Sequence, residues 1–478
     1  MQISTDIPEG EIQRRKPRFK CRESLITTTF NSPGGMALYS FLLSSVVLWF
    51  LMESVRYYFR PGLLWDDFYF LGRCFASISI ALYSMFLIHV PVFVILYPAA
   101  KVTRAQESRL PFVLSTVATL LVIITTPLLL VSKYQTSEAM RWTMAMEQVR
   151  VLMKVVGYSV EISKRGRVRA QDGVFVSTDD VKPNHGKTMQ KLEDHAGSGR
   201  ESPPSEMKNQ DDSINEPKFK ALLYFLFAPT LIYQPTYRSL GRPPNSAFIA
   251  RCVIGMIMFF FATVIVFRRH YEPVMYEIGA YPLSQMKVET GISIFFWSTI
   301  MGWFGLIFIF YGAGHCWLGI CTELLDFGDL QFQKSWWESR GLDEFMRTWN
   351  YLIHRWISSY IFKPAMSITR SKQMSMLVVI LISDFFHDYV MSMAGSVATC
   401  IFTPVVIFIL IPTILLAKPA NHLQAKMGCN FFTFFVLTLT AAVMGFMGGS
   451  EYVTRFVNCV NPHRSPFNIM PGIFDCEY

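Results

Sequence analysis

Apolar and polar positions in this chain are sorted into long blocks: runs of about 20 mostly apolar residues, the length of a helix that crosses a bilayer, alternate with shorter polar stretches. Eight runs stand out, at residues 36–57, 76–97, 110–132, 247–267, 292–313, 374–394, 398–417 and 430–449. Residues 138–160 form a further helix-like stretch that carries Glu147 and Arg150 three positions apart, a spacing at which the two can pair on one helix face. That stretch reads either as a span containing a neutralised ion pair or as an amphipathic helix on the membrane surface. Charge favours the span. The amino-terminal run Arg14, Arg15, Lys16, Arg18, Lys20 and Arg22 belongs on the cytoplasmic side, where basic residues flank spans. Residues 161–220, rich in Lys, Arg, Gly, Ser and Pro, have the composition of a disordered cytoplasmic loop, so an even number of crossings precedes them.

The expected fold is all-α, a polytopic membrane bundle of nine transmembrane helices. Residues 1–35 form a basic cytoplasmic tail, 36–160 the first four helices, 161–220 a disordered cytoplasmic loop, 221–450 a core with five more helices, and 451–478 a lumenal tail. A second periodic pattern sets Phe345, Trp349, Leu352, Ile353, Trp356, Ile357, Tyr360 and Ile361 opposite Arg347, His354, Arg355 and Ser358. It predicts an amphipathic helix at the cytoplasmic boundary.

Composition agrees with a membrane bundle. Of the 478 residues 51% are hydrophobic and only 17% charged, unusual for soluble domains. The net charge of +9 sits beside apolar spans, which argues for a membrane surface and against nucleic acid. The nine cysteines include no Cys-x-x-Cys pair, so no metal site is expected. Cys459 and Cys476 fall in the lumenal tail, where they are either a disulfide or two free thiols. The polar first 35 residues contain no cleavable signal, and the first span is expected to direct insertion.

Candidate chemistry concentrates in 374–395, where Ser383, Asp384, His387 and Asp388 interrupt an apolar helix at spacings that share one side. Each ionisable group near the bilayer centre costs about 2.5–3.5 kcal/mol. A neutral imidazole there can take a proton from a hydroxyl while a neighbouring acid fixes its tautomer; the alternative is a purely structural interhelical hydrogen-bond network. Asn350, at the edge of the amphipathic stripe, can donate a hydrogen bond to a thioester oxygen or serve as a plain surface amide. Phe327, Phe332, Trp336 and Trp337, interleaved with Asp326, Asp329, Lys334 and Glu338, are either interfacial anchors or a cofactor-binding surface.

An ordered series of short motifs resembles the membrane-bound O-acyltransferases, in particular the sterol and diacylglycerol branch. It runs from Glu147-Gln148-Val149-Arg150 and Leu152-Met153-Lys154 through Tyr224 to Tyr233 and His315-Cys316-Trp317-Leu318. It continues with Phe327-Gly328-Asp329, Phe332 to Glu338, Arg347-Thr348-Trp349-Asn350, Phe362-Lys363-Pro364 and Phe386-His387-Asp388-Tyr389. The resemblance implies nine spans, His387 as catalytic base, Trp349 and Asn350 in the reaction centre, and Ser383, Asp384 and Asp388 in support. Acyl-CoA, a substrate and not a resident cofactor, is implied to bind beside Phe332, Trp336, Trp337, His354 and Lys363, with no cofactor required. Homo-oligomers, dimer or tetramer, in the endoplasmic reticulum membrane are also implied.

Two motifs depart from the family's pattern. Its Phe-Tyr-x-Asp-Trp-Trp-Asn stands here as Phe332-Gln333-Lys334-Ser335-Trp336-Trp337-Glu338, and its His-Glu-Tyr as His387-Asp388-Tyr389, with Asp384 at a usually small position. The His315 motif and the Cys459 and Cys476 pair are more similar to the sterol branch, so the expected reaction moves a fatty acyl group from acyl-CoA to a sterol hydroxyl. Diacylglycerol as acceptor, or a noncatalytic lipid-binding relative, are the alternatives.

Overall fold

The computed structural model describes residues 33–105, 110–176, 218–280, 286–329, 331–336, 339, 342–395, 400, 402–412 and 435–449, except 436, 444, 447 and 448. Across them the chain is 84% helical and has no strand. Five helical stretches among the described residues are long and apolar enough to cross a membrane: Gly62–Val102, Leu110–Lys133, Ser246–Glu277, Val288–Leu324 and Lys372–Gly395. Each contains one of the expected spans. The expected spans at 398–417 and 430–449 are described only in part, and Cys459, Cys476 and Trp337 lie outside the described residues.

The helices are α1 (Pro33–Phe59), α2 (Gly62–Cys74), α3 (Ile78–Pro91), α4 (Tyr97–Ala105), α5 (Leu110–Lys133) and α6 (Glu138–Val176). After α7 (Phe219–Phe227) and α8 (Ser246–Val266) come α9 (Glu272–Ala280), α10 (Val288–Ile307) and α11 (Leu318–Leu324). α12 (Leu342–Thr348), α13 (Tyr351–Ile357), α14 (Lys363–Thr369), α15 (Lys372–Gly395) and α16 (Phe402–Val405) complete the set. Two differences from the sequence reading stand out. α2 fills residues read as a connection between spans, because Leu63, Leu64, Phe68 and Leu71 recur at helical spacing along it. α6 continues to Val176, so residues 161–176 of the expected loop are helical; no proline or glycine pair interrupts them before that point.

Several long helices are joined by π turns, at Val92–Leu96, Phe267–Tyr271, Phe308–Trp317 and Ser358–Phe362. The first follows Pro91, whose missing N–H and ring displace the regular ladder and let it re-form at wider spacing. α8 begins after Pro243-Pro244, and Asn245 caps it by accepting a hydrogen bond from the Phe248 N–H at 3.0 Å. α10 and the segment around 441–445 approach so closely that a Cβ on Gly302 would collide with the Ala441 carbonyl, and one on Gly445 with that of Ser298. Small residues permit such contacts where helices pack in lipid.

α6 is the centre of the bundle. Its 39 residues span about 58 Å at 1.5 Å per residue, and it packs against α3, α5, α7 and α15. Met144, Ala145, Val151, Val155 and Tyr158 are all at most 1% exposed. Its polar residues are buried with them and bond to neighbouring backbones. Gln148 donates to the Ile123 and Ile124 carbonyls of α5, each at 2.9 Å, and Arg141 Nε to the Ala394 carbonyl of α15 at 2.7 Å. Lys154, 2% exposed, donates to the carbonyls of Phe225, Leu226 and Ala228 at 2.6, 2.9 and 2.7 Å. These are the last carbonyls of α7 and the residue after it, groups that a helix end leaves without intrahelical partners. An ammonium is well matched to the negative end of the helix dipole.

Lys154→Met is therefore expected to lower stability by about 3 kcal/mol, since it strips a charged donor from buried acceptors. Lys164→Met, which removes an exposed pair with Glu161 and a contact of the ammonium with the Tyr360 ring at 5.4 Å, is expected to cost about 1 kcal/mol or less. Thermal unfolding of the two variants in one detergent measures the difference.

Candidate active site

α15 carries the His387 cluster because its apolar run is continuous enough to span, with two adjacent polar pairs, Ser383-Asp384 and His387-Asp388, about one turn apart. His387 Nδ1 lies 2.6 Å from the Ser383 carbonyl oxygen. A carbonyl only accepts, so Nδ1 carries the hydrogen, and in the neutral ring Nε2 keeps the lone pair. The Ser383 contribution is thus made by its backbone. The ring packs on Phe402 with centroids 4.7 Å apart and is otherwise exposed.

Asp384 and Asp388, both 8% exposed, turn toward the start of α16. Asp388 accepts from the Phe402 N–H at 2.6 Å and the Thr403 N–H at 3.3 Å. Thr403 Oγ1 lies 3.0 Å from Asp384 Oδ2 and 2.6 Å from Asp388 Oδ2. The two acids that distinguish this helix in sequence therefore meet at one hydroxyl. Thr403 gave no signal in sequence, as a single hydroxyl within an apolar run.

Asn350 occupies a different position from the one the periodicity suggests. The stripe from Phe345 to Ile361 is not one helix: α12 ends at Thr348, and α13 begins after Asn350 and passes into the π turn at Ser358. The Asn350 side-chain oxygen accepts the Ile353 N–H at 3.2 Å as an N-cap, and Asn is among the residues best suited to that place. The cap commits the oxygen, which fixes the amide orientation and leaves its NH2 group without a partner among the described residues. Trp349 stacks on Phe345 at 5.8 Å.

The Phe332 segment is built into the same block. Phe332 is buried against Ala228 and Phe327, and its carbonyl accepts the Tyr351 N–H at 2.9 Å. Trp336 meets Phe310 edge-on at 5.1 Å and Phe345 at 5.8 Å. Lys363, in the first turn of α14, is exposed. His354 is half-buried, and its pKa falls below the ordinary histidine value through burial and, secondarily, the nearby Arg347 and Lys334. Beside α13 opens a cavity of about 260 Å³, lined by residues including Arg238, Phe327, Asp329, Tyr351 and Arg355. Arg238 and Tyr237 in its wall lie in a loop that the sequence gave no reason to single out, because their neighbours are brought in by α13 and the 327–329 turn. Asp326 ties that loop down by accepting the Leu240 N–H at 2.8 Å.

Among the described residues no hydrogen bond or ring contact joins Asn350 or Trp349 to His387. Both groups hang on α6: Trp356 of α13 donates to the Met153 carbonyl at 2.9 Å, and Tyr389 of α15 donates to the Gln148 side-chain oxygen. No cluster of three or more metal-ligating residues occurs among the described residues.

A family model for the membrane-bound O-acyltransferase family matches residues 131–447, which include α6, the Phe332 segment, Asn350 and His387. The chain belongs to the membrane-bound O-acyltransferase family. Its relatives include human Sterol O-acyltransferase 2 (Homo sapiens), 32% identical over 199 residues that make up 40% of this chain and 36% of the relative. Mouse Sterol O-acyltransferase 1 (Mus musculus) is 26% identical over 394 residues, 79% of this chain and 64% of the relative. Rice Diacylglycerol O-acyltransferase 1-1 (Oryza sativa subsp. japonica) is 29% identical over 180 residues, 37% of this chain and 32% of the relative. The chain thus spans between about a third and two thirds of the length of these members of the family.

The His354 environment yields a pH dependence. A histidine whose folded pKa lies below its unfolded value of 6.5 contributes stability above that pH, and the contribution is lost as pH falls below it. Unfolding midpoints measured between pH 7.5 and about pH 5 are expected to drop, and to drop less in His354→Gln.

Proposed function

We propose that this protein transfers a long-chain fatty acyl group from acyl-CoA to the hydroxyl of a membrane sterol, releasing a steryl ester and free CoA. The observation that carries the reading is the tautomer of His387: with Nδ1–H given to the Ser383 carbonyl, Nε2 is a base held within an apolar helix. In that setting it takes the proton of the sterol hydroxyl as the oxygen attacks the thioester carbonyl. The NH2 of Asn350, without a partner among the described residues, is oriented by its capping oxygen to donate to the developing oxyanion, and the stacked Trp349 holds the neighbouring backbone in place. The protonated His387 then returns its proton to the departing thiolate of CoA.

Acyl-CoA is proposed to approach from the cytoplasm along α13, where Arg238, Arg355, Lys334 and Lys363 offer cationic groups to its phosphates. Phe332 and Trp336 act there as the packed frame of the site, since both are engaged with neighbouring aromatics; Trp337, His354 and Lys363 complete the proposed contact set. The sterol arrives laterally from the bilayer toward the exposed ring of His387. The protein is proposed to work in the endoplasmic reticulum membrane, amino terminus in the cytoplasm and carboxyl terminus in the lumen, as a homo-oligomer. Diacylglycerol is the alternative acceptor, favoured by the likeness to the rice diacylglycerol O-acyltransferase.

The test supplies purified protein with labelled oleoyl-CoA and either cholesterol or diacylglycerol. Cholesteryl ester is expected from the native chain, at a rate reduced by about 10²–10⁴ in His387→Ala. Equal ester from both forms would remove His387 from the chemistry, and absence of product with either alcohol would leave a noncatalytic lipid-binding protein. Asn350→Ala is expected to lower kcat by about 10²–10³ through loss of one oxyanion donor, with a smaller change in the KM for oleoyl-CoA; a change confined to KM counts against that role.

A further inference from the structure

We propose that Asp384 is a neutral carboxylic acid, sharing one proton with Asp388 across the Thr403 hydroxyl, and that this clamp is a positioning unit for His387. The proposal about His387 rests on the acyltransferase reading, whereas the proton itself does not.

Hydrogen counting leads to it. Thr403 Oγ1 is within hydrogen-bond reach of Asp384 Oδ2 at 3.0 Å and Asp388 Oδ2 at 2.6 Å, yet a hydroxyl has a single hydrogen. It can donate to one carboxylate only. Two ionised carboxylates would leave the other contact as oxygen against oxygen with no hydrogen between them. Asp388 is the anion of the pair, because it also accepts the Phe402 and Thr403 N–H groups at 2.6 and 3.3 Å, and donors directed at a carboxylate stabilise its charged form. Asp384 has no such donors. It therefore supplies the missing hydrogen, donating its own O–H to Thr403 Oγ1 while Thr403 donates to Asp388.

Two independent observations agree. Asp384 Oδ1 is buried without a hydrogen-bond partner, which a carbonyl oxygen of a neutral acid tolerates far better than the oxygen of a carboxylate. Among the described residues no Lys or Arg forms an ion pair with Asp384 or Asp388, so a second negative charge in this apolar helix would find no paired Lys or Arg among them. The closely spaced acids then behave as a dyad that retains one proton.

The consequence for the site is mechanical. Thr403 adjoins Phe402, whose ring packs on the His387 imidazole at 4.7 Å. The two acids stand one position after and three before His387 on the same helix, so the Asp384–Thr403–Asp388 chain sets the α15–α16 corner against which that imidazole rests. A second negative charge at Asp384 would push the corner apart.

Infrared spectra of the purified full chain in a detergent free of ester carbonyls test the proton directly. The native protein at neutral pH is expected to show a protonated-carboxyl carbonyl band, shifted in deuterium oxide, that is missing from Asp384→Asn. A native spectrum in which Asp384→Asn removes no such band overturns the proposal. Acyl transfer tests the positioning role: Asp384→Ala, which removes the donor, is expected to lose about ten- to a hundred-fold in turnover, and Asp384→Asn, whose amide still donates to Thr403, to keep about ten-fold more than Asp384→Ala. Equal losses in the two variants overturn the positioning role. If Asp384→Ala does not fold, the spectrum of Asp384→Asn still decides the proton; if the native chain makes no ester, the function fails while the infrared result stands.

Discussion

Hydrocarbon offers no hydrogen-bond partners, and this fold is organised around how α6 answers that constraint. Gln148, Arg141 and Lys154 would each be a liability in a lipid-facing helix; here each is directed at backbone carbonyls of a neighbour. Lys154 is the clearest case. Its ammonium gathers three carbonyls at the end of α7, which positions the loop carrying Tyr237 and Arg238. Burial of Val151, Val155 and Tyr158 along the same helix supplies the apolar part of the contact. The polar bonds specify register, because a carbonyl group can be met from only a narrow range of positions.

The same helix ties down both parts of the candidate site. Met153 receives the indole of Trp356, fixing α13 and with it the cap at Asn350. Gln148 receives the hydroxyl of Tyr389, two residues beyond His387. In the proposed reaction, the base on one helix and the oxyanion donor on another must be held in register by something rigid between them. An ion pair of Glu147 with Arg150, flanked by His89 at 3.6 Å, adds a third polar tie on this helix. Shifts of α6 would therefore disturb donor and base together.

Local breaks in helical regularity do the fine placement. The π turn after Pro91 redirects the chain between α3 and α4, and the turn at Ser358–Phe362 separates α13 from α14. At Trp349 and Asn350 the backbone leaves the helix for two residues, which turns an amide expected on a helical face into a cap whose NH2 has no partner among the described residues. The aromatic frame of Phe332, Trp336 and Phe345 is then a packed support for that position, a role consistent with the survival of its aromatics where Tyr, Asp and Asn of the family's pattern are replaced.

Membrane insertion and helical class follow from the sequence alone, since runs of apolar residues must lie in lipid and a backbone in lipid must be helical. The cluster around His387 was legible for the same reason: ionisable residues in an apolar run are conspicuous because they are costly. The extension of α6 to Val176, the break at Asn350 and the cavity wall at Arg238 were not legible, because apolar periodicity records which face is buried and says little about where a helix is capped or what a loop is tied to. Tertiary structure alone decided the tautomer of His387, the capping orientation of the Asn350 amide and the meeting of Asp384 with Asp388 at Thr403. Each depends on a hydrogen bond whose geometry exists only after the helices have packed, and no one-dimensional pattern carries that information.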